Sequence, residues 1–158
     1  MTRPSKASER RSREVARAFD QLIVATQEDS FEELEARYKA LERHLLKSVV
    51  KTDFERKELR RRVAERLFTE AFLHGCAWPV FGRALRRIQR LGYSNVERRY
   101  HVACLHAMWC EKHPEHDPRD ARRLLDDTER HLLRLPRSSP LRQGLMEALK
   151  EKRRETGL

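Results

Sequence analysis

The chain has 158 residues, of which 38% are charged and 39% hydrophobic, and its formal net charge is +10; this length suits one compact domain with a real core. Five glycines and six prolines are too few for a many-turned β sandwich or barrel, and no apolar run nears the roughly 18 residues that cross a bilayer. Three cysteines, Cys76, Cys104 and Cys110, are an odd number that fits reduced thiols in the cytoplasm better than a disulfide framework.

Residues 1–11, MTRPSKASERR, lack apolar periodicity and read as a flexible basic arm; with no apolar stretch behind it, this start is not expected to be a secretory signal. A single all-helical domain is expected over 12–156. Val15, Ala18, Phe19, Leu22 and Ile23 recur at the spacing of an amphipathic helix. Ser30 and Glu33 form a capping box for a second helix, whose Phe31, Leu34, Tyr38, Leu41 and Leu45 make a narrow heptad seam. Thr52 and Glu55 repeat the box for a long third helix with Leu59, Val63, Leu67, Phe68, Ala71 and Phe72 inward, stopped near Gly75. Trp78 to Leu91 is the fourth helix, closed by Gly92. Ser94 and Glu97 are expected to open a fifth that ends before Pro114, and Asp117-Pro118 a sixth through Leu132. Ser139-Pro140 starts a seventh with Leu141, Leu145 and Leu149, ahead of a polar end expected to fray. The fold class is therefore all-α: about seven helices packed as antiparallel hairpins, in a bundle or a short α-solenoid.

Charge is unevenly spread. Residues 1–50 hold ten Lys/Arg against nine Asp/Glu, 51–100 thirteen against six, and 101–158 twelve against ten. Within the basic middle, the fourth helix carries Trp78, Phe81, Leu85 and Ile88 on one face and Arg83, Arg86, Arg87 and Arg90 on the other, with no acid of its own. Arg98 and Arg99 open the next helix, and Arg56, Arg60 and Arg61 lie on the preceding one. This pattern reads as a phosphate-binding face for RNA or DNA, or else as a helix face that is solvated or neutralised by acids elsewhere such as Glu32, Glu33, Asp126 or Asp127. Glu58 with Arg62 and Arg61 with Glu65 are expected local pairs. No base-reading motif accompanies the stripe, so backbone contact without sequence preference is the nucleic-acid expectation.

Trp78-x2-Phe81-Gly82-x2-Leu85 resembles the opening of a tetratricopeptide repeat, and Ala103, Ala107 and Cys110 followed by Pro114 are similar to its second helix. The resemblance implies a non-enzymatic adaptor that binds a protein or peptide. Arg99 and His106, with six residues between them, are similar in spacing to the paired Arg and His of HEPN ribonucleases, which implies a catalytic pair for RNA cleavage. His106, Cys110 and His113 share one side of the fifth helix at a spacing that could offer three zinc ligands, with His74 or Cys76 as a fourth. Free thiols and histidines packed in a core explain the same residues. The leading expectation is a non-catalytic binding or adaptor protein without cofactor, docking a protein partner on Leu34, Tyr38 and Leu41. Those three residues also suit a homodimer, although burial within the monomer explains them as well. A nucleic-acid binder using Arg83, Arg86, Arg87, Arg90, Arg98 and Arg99 is the alternative, and a HEPN-like ribonuclease the third reading.

Overall fold

The structure, a computed structural model, describes residues 3–158. Among these residues all regular structure is helical, in seven elements: α1 (Lys6–Ala25), α2 (Phe31–Ser48), α3 (Asp53–Leu73), α4 (Trp78–Leu91), α5 (Val96–Lys112), α6 (Arg119–Leu133) and α7 (Pro140–Thr156). None is long and apolar enough to cross a membrane. The chain divides into two compact units, residues 1–92 with α1 to α4 and residues 93–158 with α5 to α7.

In unit 1 the chain enters helix earlier than its apolar pattern suggests. Ser5 caps α1 by accepting a hydrogen bond from the Ser8 N–H (3.1 Å), so the expected arm is helix from Lys6 onward; its first two residues lie outside the described ones. The physical reason is that a good cap and helix-favouring residues suffice where one stripe further along is anchored. That stripe is Val15 and Phe19, the two buried residues of α1. Phe19 meets Tyr38 of α2 at 5.9 Å between ring centroids, and the Arg62 guanidinium lies over the Phe19 ring, 4.6 Å from its centroid. Near the helix start, Arg11 donates three hydrogen bonds to the Glu55 carboxylate, at 3.1, 2.8 and 2.7 Å.

The Ser30–Glu33 capping box of α2 is present in both directions. At α3 the second box forms in altered shape: Thr52 accepts from the Glu55 N–H, while the Glu55 carboxylate accepts from Arg11, the Thr52 hydroxyl and the Lys51 N–H. The core beneath α1 combines Leu34, Tyr38 and Leu45 of α2, Val49 and Val50 of the following turn, and Leu59, Val63 and Leu67 of α3. Farther along α3, Phe68 packs on Phe81 of α4 with centroids 4.9 Å apart. Between these helices, Gly75 adopts φ +63° and lets the Cys76 N–H reach back to the Ala71 carbonyl, which ends α3. Gly82 serves packing instead: a Cβ there would lie 2.8 Å from Cε2 of Trp78, whose indole covers it one turn below on the same helix.

In unit 2 the cap of α5 is Asn95, not Ser94; the Asn95 side chain accepts from the Arg98 N–H at 2.9 Å. Asp117 accepts from the Arg119 N–H at the start of α6 (3.0 Å), and Ser139 from the Arg142 N–H at the start of α7. Helix α5 packs on both α6 and α7 and buries Val102, Ala103, His106, Ala107 and Trp109. Opposite them α6 buries Ala121, Leu124, Leu125, Thr128 and Leu132, and α7 buries Leu149. The expected frayed end remains helical through Thr156, because Arg153 bridges back to Asp126 and Glu129 of α6 at 2.6 and 3.4 Å.

Candidate polyanion-binding faces

Helix α4 forms over the expected residues and turns Phe81, Leu85 and Ile88 inward, which leaves its arginines outward. They do not all remain uncancelled. Arg87 donates to Glu42 at 2.8 Å, and Arg83 stands 3.4 Å from Glu35. Both acids come from α2, 45 and 48 residues earlier in the chain. Arg86 and Arg90 are exposed, and among the described residues no carboxylate lies in ion-pair range of either. Three of the four acids expected to cover this face are used elsewhere: Glu33 caps α2, Asp126 holds Arg153, and Asp127 pairs with Arg130. On α3, Glu58 pairs with Arg61 (2.9 Å) rather than Arg62, and Arg61 also donates to the Leu91 carbonyl at the end of α4 (3.1 Å). Arg56 is paired with Asp53.

Arg98 and Arg99 belong to α5 of unit 2, whereas the α4 set belongs to unit 1. The Arg99 guanidinium lies over the Tyr93 ring, 4.5 Å from its centroid. The other half of the expected catalytic pair, His106, is 1% exposed. Burial, reinforced by the charge of His116 and opposed by Asp120, holds its imidazole down at a pKa of about 4. Cys110 is likewise inside, and burial raises its thiol to about 11, which keeps it protonated. His113 faces its own helix, with Nδ1 2.8 Å from the Trp109 carbonyl and its ring stacked on the indole at 3.9 Å. Among the described residues, no three His, Cys, Asp or Glu side chains gather into a set able to hold a metal ion.

The expected docking seam also turns inward. Leu34 is 2% exposed and Tyr38 fully buried, and Leu41 packs against the same core. Burial raises the Tyr38 phenol above its ordinary pKa, against the opposing charge of Arg66.

A second basic face escapes any reading by sequence thirds. At 3.6 residues per turn, Lys6, Arg10, Arg13 and Arg17 fall within an arc of about 60° along α1. All four are exposed. Arg13 has Glu9 at 3.9 Å, whereas no carboxylate is in ion-pair range of Lys6, Arg10 or Arg17 among the described residues. Arg10, Arg13 and Arg17 line one open depression together with Glu14. The signal for this face was the 4-3-4 spacing of the cations, legible only once the helix is known to start at Lys6.

Compared with known proteins, the chain matches no family model, no curated protein and no solved structure.

Proposed function

We propose that the protein is a non-catalytic nucleic-acid binder that holds the phosphodiester backbone without reading base sequence. The observation that carries this reading is the set of cations left uncancelled in unit 1. With Glu35 and Glu42 committed to Arg83 and Arg87, the exposed Lys6, Arg10, Arg17, Arg86 and Arg90 have no acid in ion-pair range among the described residues. Unit 1 carries 21 Lys/Arg against 14 Asp/Glu, while unit 2 carries 14 against 11. Uncancelled guanidinium groups on a helix face form forked hydrogen bonds to phosphate oxygens and release condensed counterions, which favours binding. Such contacts fix position on the backbone and carry no base information. Three free thiols support a cytoplasmic, reducing location for this activity.

An adaptor built on Leu34, Tyr38 and Leu41 is the weaker reading, because those side chains are spent on the core. A ribonuclease built on Arg99 and His106 would need a buried imidazole to reach substrate. The test is fluorescence anisotropy of the full chain with a labelled duplex over a salt series. Log K should fall linearly with log salt concentration. No binding at low salt, or an affinity indifferent to salt, would sink the reading.

A further inference from the structure

Resting on that reading, we propose that α1 is the docking element, and that Lys6, Arg10, Arg13 and Arg17 lie along the phosphate backbone of a nucleic-acid duplex. The four cations extend over about 16 Å of helix. Over such a length a duplex offers several phosphates, at one charge per roughly 1.7 Å of its axis. The helix beneath the row is fastened twice: Val15 and Phe19 are buried, and Arg11 is forked onto Glu55. Arg11 thus spends its own charge on placing its neighbours. The acids that flank the row are Glu9, already paired with Arg13, and Glu14 and Asp20 at its edges.

Two features select among polyanions. No aromatic side chain interleaves with these cations, whereas single strands are held by stacking bases on aromatic platforms. The apolar side of α1 is occupied by the core, whereas an interfacial helix must give its apolar side to the lipid. A duplex backbone asks only for the cations. It could come from RNA or DNA, so both are probes.

The experiment measures salt-dependent binding of the full chain, of Arg10→Glu/Arg17→Glu and of Arg86→Glu/Arg90→Glu. The probes are duplex DNA, duplex RNA, an unstructured single strand and vesicles rich in anionic phospholipid. All four substituted arginines are exposed, and circular dichroism melts confirm that each variant is folded. The wild-type chain should bind at least one duplex with a log–log salt slope of about −3.6, four contacts' worth. The α1 variant should lose about tenfold or more in affinity at moderate salt and about 1.8 of that slope, and the α4 variant clearly less. Loss confined to the α4 variant, or equal in both, would overturn the assignment to α1 while leaving nucleic-acid binding intact. Tighter binding to the single strand or to vesicles than to either duplex would overturn the choice of ligand. If no nucleic acid binds, both the assignment and the reading it rests on fail.

Discussion

Helices α1 and α4 each carry four cations on one side, yet they differ in what the rest of unit 1 does to them. On α4 two of the four are answered by Glu35 and Glu42 of α2. Of the four in the α1 row, only Arg13 has a carboxylate in ion-pair range among the described residues, and that one lies on its own helix, in an exposed pair of small expected strength. The acids explain the difference. Residues 3–17 hold six Lys/Arg against Glu9 and Glu14, whereas residues 18–42 hold only Arg37 and Lys39 against seven acids. Summed over the first fifty residues the two stretches nearly cancel, although in space the acidic stretch is turned in part toward α4. Charge counted along a chain and charge presented on a surface are different quantities, and packing converts one into the other.

This contrast can be broken or sharpened in several ways. The largest effect is expected from Phe19→Ala, which removes a fully packed ring and its contact with Tyr38 and Arg62. It should cost about 3–5 kcal/mol in chemical denaturation and weaken duplex binding, because α1 loses its anchor. The matching change on α4, Phe81→Ala, should destabilise by a similar amount with a smaller effect on binding beyond that due to unfolding. Equal binding by folded Phe19→Ala would separate the basic row from its helical order.

Mild acid should act mainly on unit 2, which carries neither face. Folded His106 titrates near 4 and the unfolded residue near 6.5, so between these values the unfolded chain takes up a proton that the folded one refuses. Stability therefore falls as pH drops from 6.5 to about 4, by up to about 3 kcal/mol from this residue. Denaturation midpoints across that window check it, and His106→Gln should flatten the dependence. A profile unchanged by that substitution would assign the acid sensitivity to other groups.

Smaller effects come from charge and shape on α4. Glu35→Gln with Glu42→Gln should release Arg83 and Arg87 and tighten duplex binding slightly through their longer-range field, with the salt slope changed by less than one contact's worth. If it leaves binding unchanged, α4 is remote from the ligand even when fully charged. Gly82→Ala forces the Trp78 indole aside. Overpacking costs about 1–3 kcal/mol and the gain in helix propensity returns about 1, so a net loss near 1 kcal/mol is expected in a thermal melt.

The elements with a periodic apolar stripe and a local cap were legible from sequence, because both signals act within one or two turns. Trp78–Leu91 and the caps at Ser30, Thr52 and Ser139 are of this kind. The start of α1 was not legible, since Lys6 to Glu14 contains no large apolar residue and so has no period to detect. Its helical state depends on a cap at Ser5 and on a tie to Glu55 that is 44 residues away. The α5 cap slipped by one residue because Ser94 and Asn95 are both good candidates and only backbone geometry separates them. At the candidate site, the arginines themselves were readable while their neutralisation was not. A pair such as Arg87–Glu42 leaves no trace in any local window.

The two tryptophans give each unit its own optical reporter. Trp78 in unit 1 is half-buried above Gly82, whereas Trp109 in unit 2 is 2% exposed and stacked on His113 at 3.9 Å. The first indole should emit toward the red; the second, shielded and in face contact with an imidazole, should emit dimly and toward the blue. The single variants Trp78→Phe and Trp109→Phe, each keeping one tryptophan, would reveal without a label whether the halves melt as one body or in sequence.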